Sequence, residues 1–242
     1  MHARTFLGPI WVSVEQLVFT LGYGLFSSAI FGANFLERST YVGLGLAWFG
    51  AVGGLIQSSA QIPELMKKAT ASSLPVSSAF FVHAIRATLL LFFRLAGVMP
   101  FVLILAVEKG NFSLFRVLLV IPYVATWLIA AIGTSLVIGV LFTRFRDVGP
   151  ISSVVLQLAL FLSPVFWHEK DLRGVGNSAS ALAGLQNFSP WSWNLSFLRR
   201  IFIHNHVVPV ADLLGLTVSS LLLLLVGLAV FSAGNRSLRV WA

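Results

Sequence analysis

The sequence predicts an all-α integral membrane protein: six membrane-spanning helices, one short polar surface helix, and one amphipathic helix before the last span. Three observations carry that prediction. Of 242 residues, 57% are hydrophobic and 10% charged; a soluble domain carries about 25% charge, so this chain has too few charges to cover a water-facing surface. Its mean hydropathy is +0.92. The apolar residues also gather into six runs of about the length that a ~30 Å hydrocarbon core requires.

The first run, 9–31, contains Glu15 as its single charge and exceeds the length of a signal-peptide core, so it reads as a retained helix. The second, 42–62, holds Gly50 and Gly54 at the small-xxx-small spacing that lets membrane helices approach. Residues 62–75 follow as a polar, basic segment, too polar to span. A helix begins there at Pro63, with Glu64 in its first turn and Lys67 and Lys68 beyond. The third run is 78–107 and the fourth 114–143. The fifth, 150–167, ends in LSPVFW, where Pro164 breaks the helix because proline has no N–H to donate.

Residues 168–209 form the one long connection. Within it Ser189 and Pro190 are a helix start, and Phe188, Trp191, Leu195, Leu198 and Phe202 form one apolar stripe, as in a helix lying at the membrane interface. The sixth run is 210–232. The chain is a single transmembrane domain, 1–242, with both termini on one side.

Charge refines this picture. The net charge is +8, from 16 Lys+Arg against 8 Asp+Glu. The basic residues stand near the ends of apolar runs, which points to membrane lipid and not to nucleic acid. Arg4, Lys67, Lys68, Arg144, Arg146, Arg236 and Arg239 fall on the terminal side, and Arg38, Lys109, Arg116, Lys170, Arg173, Arg199 and Arg200 on the other. The two sets are equal at seven each, but the first is packed into a shorter total length, so the positive-inside rule leans towards cytoplasmic termini.

Several chemistries are without support. The sequence has no GxxxxGK[ST] phosphate loop, no HExxH, no GxSxG elbow and no cysteine. It therefore reads as a non-enzyme that binds no metal or cofactor of its own. The third run is richer: His83, Arg86 and Arg94 fall within an arc of ~80°, and Arg94 lies about 24 Å along the helix. An arginine at the membrane centre costs roughly 2.5–3.5 kcal/mol and faces a partner or a watery path. An ion pair with Glu15, contact with an anionic substrate group, and snorkelling all fit the spacing. The 21 Phe and 7 Trp suit either interface anchoring or stacking on sugar faces.

In LFTRFRDVGPIS, residues 141–152, Arg144, Arg146 and Asp147 mark the turn between the fourth and fifth runs, and Gly149-Pro150 separates two helices. This segment, with VVLQLALFLSPVFW (154–167), resembles the Arg-Phe-Arg-Asp loop and Ser/Thr-Pro-Val end of polysaccharide-exporting ABC transporter permeases of the type-2 class. RTFLGPIW (4–11), LFSSAIFG (25–32), LPVSSAFFVHAIR (74–86) and NFSPWSWNLSFLRRIFI are similar to further signatures of that family. The family's Asn-Pro element is split here into Asn187-Phe188-Ser189-Pro190, and its amphipathic helix before Leu-Gly-Pro is not contained in residues 1–3.

The resemblance implies a homodimeric permease in a bacterial inner membrane, exporting a lipid-linked glycan such as O-antigen. It implies a separate ATP-binding subunit that carries ATP and Mg. Residues 62–75 become a cytoplasmic coupling helix, with Glu64, Lys67, Lys68, Arg144, Arg146 and Asp147 facing the ATPase. Ser163, Pro164, Trp167, Trp191 and Trp193 belong to an extracytoplasmic gate region, 163–209. His83, Arg86, Arg94, Glu15, Phe19, Phe26 and Phe161 are candidates for the substrate path. A type-2 permease for a drug or simple lipid, and an intramembrane lipid-linked sugar transferase, are the alternatives.

Overall fold

A chain built almost wholly of apolar runs has no water to satisfy its peptide groups inside a bilayer, so each run closes its hydrogen bonds internally as a helix. The computed structural model describes residues 8–32, 34–110, 118–145, 147–166, 190–203 and 210–241, and among them all regular structure is helical. The helices are α1 (Ile10–Phe31), α2 (Phe35–Ser58), α3 (Ile62–Ala71), α4 (Ser77–Glu108), α5 (Val120–Arg144), α6 (Val148–Leu162), α7 (Pro190–Phe202) and α8 (Val210–Trp241), with a 3-10 turn at Ser59–Gln61 between α2 and α3. Five segments are long and apolar enough to cross a membrane, containing α1, α2, α4, α5 and α8. The protein is a multi-pass, all-α membrane protein.

The expected boundaries shift where capping and charge act. The second span begins at Phe35, not at 42, because Asn34 caps it: its Oδ1 accepts from Leu36 N at 2.9 Å and Glu37 N at 3.4 Å. Arg38 thereby enters the helix, buried among protein atoms. α3 has Pro63 and Glu64 in its first turn, as its sequence predicts. The fifth run forms a helix of only 15 residues, ~22 Å long, and is not among the five long segments. It stops at Leu162 because Ser163 precedes a proline and is driven to extended backbone, at ψ 151°.

α1 and α4 both run antiparallel to α2 and so are parallel to each other. Ser13 Oγ donates to Phe93 O at 2.6 Å, and Gly97 lies against the Ser13 carbonyl. α5 and α8 meet backbone to backbone. A Cβ on Gly133 would stand 2.6 Å from Leu223 O, and one on Gly227 would stand 2.6 Å from Gly133 O. This close approach is van der Waals packing, which replaces the hydrophobic effect between helices in lipid. The expected Gly50/Gly54 approach does not occur. Gly54 faces open space, and Gly50 makes room for the guanidinium of Arg94, whose Nη1 would lie 2.6 Å from a Cβ there.

The main core gathers Leu44, Trp48, Leu91, Leu95, Tyr123 and Trp127 with Leu195, Leu198 and Ile201 of α7. α7 therefore packs its apolar side, with Leu195, Leu198 and Phe202, on α2 and α8. A second cluster, Ile62, Met66, Phe80, Leu136 and Val140, seats α3 across α4 and α5.

Candidate functional site

Three polar constellations interrupt this apolar bundle, one at each end and one midway. The middle one lies where α1, α2 and α4 meet. The Arg94 guanidinium, half-buried, donates from Nη1 to Gln16 Oε1 at 3.2 Å. Gln16 is buried, and its Nε2 donates to Gly43 O at 3.4 Å. Among the described residues the ion pairs are Glu37–Lys109 and Arg200–Asp212. Among the described residues no carboxylate lies within ion-pair distance of Arg94, although Glu15, half-buried and next in sequence to its amide partner, is near enough to act on it electrostatically.

The stripe of His83, Arg86 and Arg94 comes apart in three dimensions. His83 is 2% exposed, and both ring nitrogens are occupied, Nε2 with Ser58 Oγ and Nδ1 with Ser135 Oγ, each at 2.9 Å. Ser58 Oγ gives its own proton to Gly54 O, so the ring donates to it from Nε2. His83 is thus a tether of α2, α4 and α5, with no free atom for a substrate. Arg86 is exposed and does not pair with Glu15. The physical reason is register. Ser13 stands beside Phe93 and Gln16 beside Arg94, which puts Glu15 about two turns along the bundle from Arg86 and level with Arg94.

α1 presents an unusual outer face. Trp11, Phe19, Tyr23 and Phe26 are all exposed, and Glu15 shares their stripe. Phe19 and Tyr23 lie 6.1 Å apart between ring centroids, and Tyr23 reaches Phe166 at 5.3 Å. An aromatic line therefore runs from α1 to the broken end of α6. Of the remaining aromatic candidates, Phe161 and Trp191 lie in helices but their side chains fall outside the described residues, as Trp167 does entirely. Trp193 is 48% exposed and lies along α8 at Gly215.

At the end opposite α3, the chain beyond α6 is irregular, and each of its next three carbonyls accepts a side-chain bond. Tyr41 Oη donates to Pro164 O at 3.4 Å, Arg199 Nη2 to Val165 O at 3.2 Å, and Arg38 Nη2 to Phe166 O at 3.1 Å. Arg199 Nη2 also donates to Tyr41 O at 3.1 Å, and its guanidinium lies 3.4 Å from the Tyr41 ring centroid. Arg38 donates from Nε to Ser27 Oγ at 2.7 Å and stacks over Phe31 at 4.4 Å. Ser163 bonds back into its own helix, Oγ to Leu160 O at 3.1 Å. Residues 164–166, the turn that Ser163 opens, thus meet Tyr41, Arg199 and Arg38, whose sequence positions mark them only as flanking the spans. The one usable signal was Arg199 on the stripe-bearing face of an amphipathic helix.

The α3 end is the third constellation. Ile62, Met66 and Ala69 are buried, leaving Glu64, Lys67 and Lys68 exposed on the outer face. Arg144 and Asp147 are exposed beside it at the α5–α6 turn, with the Arg144 guanidinium 5.7 Å from the Phe145 ring centroid. Arg146 lies outside the described residues. The arrangement is an exposed, charged face on an apolar seat. No protein-family model matches the chain, and no curated protein matches its sequence.

Proposed function

We propose that this chain is the membrane-spanning permease subunit of an ATP-driven exporter of the type-2 ABC class, moving a lipid-linked polysaccharide such as an undecaprenyl-diphosphate-linked glycan across a bacterial cytoplasmic membrane. Two copies form the path, and a pair of separate ATP-binding subunits supplies ATP and Mg. In this reading the α3 end is cytoplasmic together with both termini. α6, continued by 163–166, is the remaining crossing that makes six.

The character of α1 carries the reading. α1 and α8 are both mostly exposed in the single chain, yet α1 is the least hydropathic of the five long segments and α8 the most. α8 shows leucines, as a lipid-facing helix does; α1 shows Trp11, Glu15, Phe19, Tyr23 and Phe26. Aromatic faces beside a carboxylate fit a sugar chain better than acyl chains. Arg94 at mid-depth offers a guanidinium with unspent donors, the group that matches phosphate oxygens. A mid-depth arginine hydrogen-bonded to a neutral amide, with Glu15 near it but outside ion-pair distance, is the kind of intramembrane ionisable residue that marks a functional site.

Deleting the chain in its host tests the reading. Surface glycan should fall and its lipid-linked precursor accumulate inside, with rescue by the intact chain only when its ATP-binding partner is present. Unchanged surface glycan after deletion removes the proposal.

A further inference from the structure

The broken end of α6 is held from outside its own helix, and the chemistry of that hold points to a device that opens. Irregular backbone survives at membrane depth only where protein satisfies it. Here Tyr41 and Arg38 of α2 and Arg199 of α7 serve the carbonyls of 164, 165 and 166. Arg199 joins all three elements. Its Nη2 bridges Tyr41 O on α2 and Val165 O beyond α6. Gly45 completes the slot: a Cβ there would lie 2.9 Å from that Nη2 and 3.1 Å from Val165 Cα.

Two features make this hold weaker than its burial suggests. Every partner of Arg199 is neutral, a carbonyl or the Tyr41 ring, and its Nε is buried without an acceptor among the described residues. A second guanidinium also sits near the same ring, with Arg38 5.8 Å from its centroid, so two like charges share one neutral platform. Arg38 is anchored independently by Ser27 and Phe31 on α1. Arg199 is carried by α7 and is the partner that moves when α7 moves.

We propose that Arg199 is a latch: while its guanidinium sits over Tyr41, Val165 is pinned between α7 and α2, and its withdrawal with α7 leaves the turn 163–166 held by Tyr41 and Arg38 alone, so that it parts from the bundle more often. That the freed turn opens the outer end of the export path rests on the function proposed above; the latch itself does not. The natural chain has no cysteine, so a single Phe166→Cys reporter reads the freedom of the turn by its labelling with a water-soluble maleimide in the detergent-purified protein, where the reagent reaches both ends of the bundle. A Met66→Cys reporter, buried at the far end of the bundle, reads global loosening.

Arg199→Gln should speed labelling at position 166 by about tenfold or more, because labelling tracks the open population, while position 66 stays protected. Unchanged labelling at 166 overturns the latch. If both positions label, the variant has lost its fold and Arg199→Lys decides, since it keeps the charge but not the forked donor. Faster labelling at 166 alone then supports the latch, and both positions silent or both labelled overturns it. Loss of surface glycan with unchanged labelling would count against the latch and leave the export reading intact.

Discussion

Gln16 fixes the position of Arg94 in the middle of the bundle: its Oε1 accepts from the guanidinium at 3.2 Å, while its Nε2 donates to Gly43 O at 3.4 Å. One buried amide thus ties α1 to both α4 and α2. Gly50 leaves the space in which the guanidinium lies.

The first prediction follows from that geometry. Arg94→Gln should leave the protein folded, with normal yield and monodispersity in detergent, and abolish most export of surface glycan. Gln16→Leu should lower thermal stability by about 1–3 kcal/mol, because Gly43 O and the guanidinium both lose a buried partner. Wild-type export from Arg94→Gln would remove that residue from the path.

His83 should behave in the opposite way. His83→Phe leaves the hydroxyls of Ser58 and Ser135 without their partner between α2, α4 and α5. The expected cost is about 1–3 kcal/mol in stability, seen as a lower melting midpoint, with export per folded molecule preserved. A fully stable His83→Phe that fails to export would return this histidine to the substrate path.

The α5–α8 contact predicts a sharp size limit. Gly133→Ala places a methyl group against the Leu223 carbonyl, an atom that cannot rotate away. The helices must separate, at about 1–3 kcal/mol. Gly22→Ala, with nothing within 4 Å of the new methyl, should be neutral or slightly stabilising by helix propensity. Equal melting midpoints for the two variants would contradict the packing described.

The α3 patch separates docking from folding. Lys67→Glu with Lys68→Glu alters only exposed charges, so yield should be unchanged and ATP-binding subunit should no longer co-purify. Met66→Asp, by contrast, buries a carboxylate against Phe80 and Leu136, and should fail to fold. Normal co-purification with the double charge reversal would move the docking surface elsewhere.

The sequence by itself determined that this chain lives in lipid, that its regular structure is helical, and roughly where the long helices run. It did so because apolar run length answers directly to bilayer thickness and backbone satisfaction. It also revealed the amphipathic character of α3, where a polar face and an apolar face alternate within ten residues. What it did not reveal is which polar side chains meet. Helical spacing placed His83, Arg86 and Arg94 on one stripe, but neighbouring helices differ along that stripe. His83 faces two serines, Arg94 faces Gln16 and Gly50, and Arg86 faces outward. The register of α1 against α4 moved Glu15 away from Arg86, and no local pattern encodes that register. Likewise Arg38, read as a charge outside the second span, became a buried ligand of the α6 end once Asn34 started the helix early and Phe166 folded back to it. Those partnerships belong to the tertiary structure alone, because each joins residues on different helices whose proximity only the packed bundle creates, from the 25-residue separation of Ser58 and His83 to the 78 of Gln16 and Arg94 and the 128 of Arg38 and Phe166.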